Sequence, residues 1–227
     1  MPPPKGAIAR QTSADQAARY IRRLIFDADL RPHDRVPQDA VASVLGISRI
    51  PVREALIALE REGWVTIEPH RGAFVNALDE AAVRDHFELY GLTFGLAAQR
   101  AIERGVAPLV AALEPLVAGV REETDADRFS RLAVAFHDAV VAAAASPRIG
   151  VVLRAISTLV PGNFFALIPN AIPIEREGLV ALLDAFRAGD PVRARDEYID
   201  MMRRQADQVV TLFAARELFG ERKAAAG

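Results

Sequence analysis

The chain has 227 residues, 51% of them apolar and 26% charged, a balance that suits a folded protein with a sizeable core and excludes a disordered one. It contains no cysteine, which excludes a disulfide framework and zinc–thiolate sites. The net charge of −2 is unevenly spread: residues 1–78 hold 11 Lys/Arg against 9 Asp/Glu, and residues 79–227 hold 17 against 21. A weakly basic first third on an acidic body permits a nucleic-acid partner, with salt-dependent affinity.

Residues 1–9 read as a disordered N-terminus. Met1-Pro2-Pro3-Pro4-Lys5-Gly6 lacks the apolar core of a secretory signal, and no apolar run reaches the ~18 residues of a membrane span, so a cytoplasmic protein without membrane contact is expected. Ser13 with Gln16 has the form of a capping box, opening a helix with Ile21, Leu24, Ile25 and Ala28 on one face. A short second helix, Asp39 to Leu45, follows Pro37 and stops at Gly46. A third starts at Ser48, a helix-capping residue type, and Pro51 is tolerable in its first turn. Val52, Ala55, Leu56 and Leu59 form its apolar stripe, while Arg49 and Arg53, four apart, leave on another face. Val65 to Ile67 and Ala73 to Val75 read as short strands around a turn. Two helices joined by a tight turn, the second basic at its start, match a helix-turn-helix reader, and the strand pair adds a wing.

From Asp79, a helix-capping type, to Arg222 nearly everything reads helical, with helices near 80–104, 106–122, 125–145, 147–160, 173–188 and 191–218. Breaks are expected at Gly105, Asp125, Ser146-Pro147, Pro161-Gly162-Asn163 and Gly189-Asp190-Pro191. The last helix shows one broad stripe of Tyr198, Met201, Met202, Gln205, Val209, Leu212 and Phe213. Phe164 to Ile168, between prolines, reads as a buried connection, with a cavity lid as the alternative, and residues 223–227 as a frayed tail. The fold class is therefore mostly α: a winged helix-turn-helix over residues 10–78 and an all-α bundle of six or seven helices over residues 79–222.

The block Leu45-Gly46-Ile47-Ser48-Arg49-Ile50-Pro51-Val52-Arg53-Glu54-Ala55-Leu56, followed by Leu59-Glu60-Arg61-Glu62-Gly63-Trp64-Val65 and His70-Arg71-Gly72-Ala73-Phe74-Val75, resembles the DNA-binding domain of the GntR family of bacterial transcription regulators. One departure is Asp29-Leu30-Arg31-Pro32-His33-Asp34, where the family often has Pro-Gly. More loosely, Phe136-His137, Ser146-Pro147-Arg148 and Phe186-Arg187-Ala188-Gly189-Asp190 resemble the helical effector domain of the FadR branch. The resemblance implies a homodimer on a palindromic operator in double-stranded DNA, regulated by a small-molecule effector. It implies Arg49 and Arg53 as base or phosphate contacts, Ser48 beside them, and Arg71 with His70 and Gly72 at a wing tip in the minor groove. Arg35 and Gln38, near the start of the second helix, are candidate phosphate contacts. In some fatty-acid-responsive relatives an arginine of that helix reads DNA; its position here is Asp39.

Many relatives of this branch hold a divalent metal with one aspartate and three histidines. The matching positions here are Ala133, His137, Leu179 and about Met201, so no metal and no other cofactor is expected. His137 then reads either as a half-buried histidine bonded to a backbone carbonyl or as a group meeting an effector's polar head. Where relatives carry an arginine and a glutamate, this chain has Tyr90 and Phe94. A less polar cavity lined by Tyr90, Phe94, His137, Leu179 and Met201 follows, for an apolar or amphipathic effector such as a fatty acid, acyl thioester or aromatic compound. The alternatives are a constitutive dimeric DNA-binding protein and a metal-independent sensor of a small carboxylate. An enzyme is not expected, because no nucleophile elbow, phosphate loop or metal cluster occurs.

Overall fold

The computed structural model describes residues 12–156, 160 and 163–220. The expectations for residues 1–9, for Pro161-Gly162 and the end of the helix before them, and for residues 223–227 lie outside these. The chain forms two compact units: the described residues up to Asp79 with those from Arg216 onward, and Glu80–Ala215.

In the first unit α1 (Ser13–Phe26) is capped one residue earlier than the sequence pattern suggests. The Thr12 hydroxyl accepts from the Asp15 N–H and the Asp15 carboxylate accepts from the Thr12 N–H, both at 3.1 Å, so Thr12 and Asp15 form the capping box in place of Ser13 and Gln16. The helix stops before Ala28, which has a left-handed backbone with φ 62°. Next, α2 (Gln38–Leu45) ends at Gly46 (φ 64°), a conformation that costs glycine nothing. The turn leads into α3 (Arg49–Arg61), which buries Val52, Ala55, Leu56 and Leu59 and packs on α1. Arg22 of α1 grips the Glu62 carboxylate just past α3 with bonds of 2.6 to 3.0 Å.

The wing is an antiparallel pair, β1 (Val65–Glu68) and β2 (Gly72–Val75), in register from Val65 opposite Val75 to Glu68 opposite Gly72. A feature the sequence reading did not contain is a third strand-like contact: Arg35 bridges to Phe74, and the Val36 N–H donates to the Ala73 carbonyl at 2.8 Å. The end of the chain also returns here. After Glu217 turns in a left-handed conformation (φ 56°), the Leu78 N–H donates to the Leu218 carbonyl at 3.2 Å, and the Arg216 guanidinium lies 4.3 Å above the Phe26 ring. The last helix therefore stops at Ala215, not 218.

The second unit holds seven helices among the described residues: α4 (Glu80–Glu103), α5 (Ala107–Val120), α6 (Ala126–Ala144), α7 (Pro147–Ile156), α8 (Phe164–Leu167), α9 (Ala171–Ala188) and α10 (Pro191–Ala215). Asp125 caps α6 by accepting the Arg128 N–H at 2.8 Å, and Asp190 accepts the Val192 and Arg193 N–H groups before α10. The Phe164–Ile168 connection is a helical turn whose residues are half-buried or exposed until the buried Ile168. The longest helices, α4 and α10, run against each other with little between them. A side chain at Gly91 would meet Ile199 Cα at 3.0 Å, and one at Gly95 would meet Arg195 Cγ at 2.8 Å. Among the described residues no helix is long and apolar enough to cross a membrane.

Candidate functional site

Two sets of polar residues stand out, one in each unit. In the first unit the exposed face of α3 carries Arg49, Ile50, Arg53 and Glu54 at the helix start. Ser48 caps the helix by backbone position alone, since its side chain makes no capping bond. That leaves its hydroxyl available to a ligand. Arg53 is exposed without an ionic partner among the described residues. Arg49 is not free: its Nε pairs with the carboxylate of Asp39 in the first turn of α2. Asp39 thus holds Arg49 across the turn between α2 and α3. Both side chains are more than 60% exposed, so the pair is weak and open to exchange.

At the wing tip His70 takes a left-handed backbone (φ 63°) and Gly72 a φ of 111°. A Cβ at Gly72 would sit 2.9 Å from the Nε of Arg35. Arg35 is exposed beside the wing, its backbone bridged to Phe74. Arg71 pairs with Glu68 and stacks over Phe74 at 5.4 Å. Gln38 opens α2, half-buried.

In the second unit His137, near the middle of α6, bonds neither a backbone carbonyl nor empty space. Its Nδ1 lies 3.2 Å from the Tyr198 hydroxyl and its Nε2 lies 2.6 Å from Glu175 Oε1. Glu175 is 3% exposed and Gln205 1%. The Gln205 Nε2 donates to the Ala171 carbonyl at 3.0 Å and to Glu175 Oε2 at 3.2 Å, while its Oε1, buried, has no partner among the described residues. Burial first, and then the negative charge of Glu175, push the Tyr198 hydroxyl well above its ordinary range, so it stays protonated. A His137 tautomer that accepts from Tyr198 and donates to Glu175 gives each of the three groups a partner. Phe94 stacks on Tyr198 (centroids 5.2 Å apart, planes 9° apart), lies 4.9 Å from His137, and meets Tyr90 edge-on at 5.0 Å.

Of the expected cavity residues, Tyr90, Phe94 and His137 are therefore gathered in one cluster, but Leu179 and Met201 are fully buried core side chains. Met201 fills the space over Gly178, where a Cβ would overlap its Sδ. Glu175 adds a buried carboxylate beside these residues. Its signal was available: Ala171, Glu175, Gly178, Leu179 and Leu182 share one buried stripe of α9, and a glutamate there must find a partner. The residues do not fit the metal of the resembled branch. Ala133 and Leu179 offer no donor, both nitrogens of His137 are engaged, and among the described residues no group of three or more His, Asp or Glu could hold an ion. A cavity of about 350 Å³ opens at the α8–α9 connection, lined by Phe165 to Pro173.

Comparison with known proteins agrees with this division. Residues 13–75 match the family described as bacterial regulatory proteins, gntR family, and residues 92–219 match the FCD domain. The HTH-type transcriptional regulator Rv0043c of Mycobacterium tuberculosis is 32% identical over 157 residues, 69% of this chain and 64% of that protein. The chain thus spans just under two thirds of that relative. The HTH-type transcriptional repressor RspR of Escherichia coli is 37% identical over 70 residues, 31% of each chain. Among solved structures, a GntR family member from Pseudomonas syringae superposes with a TM-score of 0.54 at 22% identity, covering 90% of this chain and 87% of that one. The Escherichia coli protein McbR/YncC gives 0.56 at 18%, covering 90% and 98%. At these identities the structures speak for the fold alone.

Proposed function

Because this chain belongs to the GntR family of bacterial regulatory proteins, with an FCD domain as its helical part, we propose that it is a cytoplasmic, effector-responsive repressor that binds a palindromic operator as a homodimer. The observation that carries the DNA half is the start of α3, where Ser48, Arg49 and Arg53 are exposed together. The N-terminal part of such a helix reaches base edges, and arginine can donate two bonds to guanine. Arg71, His70 and Gly72 form a projecting wing tip suited to the minor groove, with Arg35 braced beside Gly72 and Gln38 at the start of α2 for phosphate. The dimer is supported by Leu89, Leu92 and Leu96, 43 to 55% exposed on α4, and by Val151 and Val152 on α7, which packs against α4. Apolar residues spaced along one helix face suit a self-complementary two-fold contact. DNase footprinting tests the reading: wild-type protein protects a two-fold site near its own gene, and Arg49→Ala loses preference for it. Protection unchanged by Arg49→Ala removes α3 from the reading role.

For the effector, the cluster of Tyr90, Phe94, His137 and Tyr198 supports a compound with an apolar or aromatic body. Leu179 and Met201, packed in the core, would contribute only by moving. A carboxylate-headed effector, whether a fatty acid or a small acid, is disfavoured by the buried carboxylate of Glu175. The second reading, a constitutive dimeric DNA-binding protein, is favoured by the closed packing at Leu179, Tyr198 and Met201, all 0% exposed. Operator affinity that no small molecule changes would select it.

A further inference from the structure

The polar centre of the helical unit has a one-sided hydrogen-bond inventory. With His137 in the tautomer that accepts from Tyr198, the Tyr198 hydroxyl hydrogen is used on His137, the His137 Nε2 hydrogen on Glu175, and the Gln205 amide hydrogens on the Ala171 carbonyl and Glu175. The Gln205 amide cannot be turned round, because its oxygen would then face two acceptors. What is left over is acceptor capacity only: the unpartnered Gln205 Oε1 and the remaining lone pairs of Glu175. A buried acceptor without a donor is costly, and such a group in a folded protein calls for a reason.

We propose that this centre receives an effector with a cationic, hydrogen-donating head, an ammonium or a close relative of it, carried on an apolar or aromatic body. The inference rests on the effector-responsive reading above and names the chemistry of its ligand. Three further features fit. The carboxylate of Glu175 supplies the opposite charge in a dry setting, where ion pairing is strong and a second carboxylate would be repelled. The stacked Phe94 and Tyr198 rings, with Tyr90 edge-on, offer faces that attract cations. The third feature is a neighbouring cavity. Ala171 lines the cavity at the α8–α9 connection while its carbonyl holds Gln205, so the cavity and the polar centre share a residue. Met201, flexible and unbranched over Gly178, is the side chain best able to withdraw.

The test compares phenethylamine with hydrocinnamate, which presents a carboxylate on a similar phenyl body. Thermal shift and operator release are measured on the full-length protein. Phenethylamine should stabilise the protein and change operator affinity, and hydrocinnamate should do neither. Glu175→Gln should weaken the amine by about tenfold or more, since a charge-assisted bond becomes a neutral one. If that variant loses its helical circular dichroism, Gln205→Met, which removes the unpartnered acceptor, serves in its place. Equal or stronger effects from hydrocinnamate, an amine response unchanged in the variant, or no response to either compound would each overturn the proposal. Unliganded operator binding is measured alongside. If it is intact while the amine fails, only this inference falls; if it is absent, the regulator reading falls with it.

Discussion

The two units treat charge in opposite ways. In the winged-helix unit Arg49 with Asp39 and Arg71 with Glu68 are ion pairs standing mostly in water. Phosphates can displace such partners at little cost, because exposed pairs contribute well under about 1 kcal/mol. In the helical unit Glu175, His137, Tyr198 and Gln205 are withdrawn from solvent, and each satisfies another. There a single change strands several groups at once. The exposed unit is built for exchange of partners and the buried one for discrimination.

The sharpest challenge to this contrast is Glu175→Ala. It strands the His137 and Gln205 donors and should cost about 3 kcal/mol, read as a lower midpoint in urea unfolding. A loss under about 1 kcal/mol would mean that the centre is wetter than its burial implies. Gly178→Ala should cost about 2 kcal/mol by forcing Met201 out of its seat, and Met201→Ala in the same chain should recover part of that loss. On the exposed side, stability should hardly move while binding does. Arg49→Ala should lower operator discrimination by about 1–3 kcal/mol, measured by competition against non-specific duplex, whereas Arg71→Ala weakens all duplexes alike. Asp39→Asn should do the reverse of Arg49→Ala for non-specific DNA, raising affinity and steepening its salt dependence. The smallest effect is Thr12→Ala, about 1 kcal/mol from loss of the α1 cap. The Thr12 bonds hold the Asp15 carboxyl below its ordinary range, so the cap's contribution is present at neutral pH and fades as acid protonates Asp15.

What could be seen in the sequence follows the same division. The helix-turn-helix segment was legible because its family pattern lies in one contiguous block of sequence. The helix breaks at Gly105, Asp125 and Gly189-Asp190 were legible through caps and left-handed positions. Illegible were contacts between residues far apart in the chain. The Arg35–Phe74 bridge, the Leu78–Phe219 bridge after α10, and the Tyr198–His137–Glu175 relay span 38 to 141 positions by their residue numbers. Periodicity placed His137 and Tyr198 on inward faces, but it could not say that they would meet. Taken alone, Glu175 carries no local mark of its burial, because a single glutamate in a helix usually faces water.

The chain leaves the winged-helix unit at Asp79 and rejoins it at Arg216, where Leu78 and Phe219 lie side by side as a parallel bridge. The helical unit is thus spliced into its host by two adjoining covalent leads, not hung from one. Cutting the chain just after Ala215 would leave every described helix intact, yet should part the residues that pair with Leu78 from the helix that carries them there.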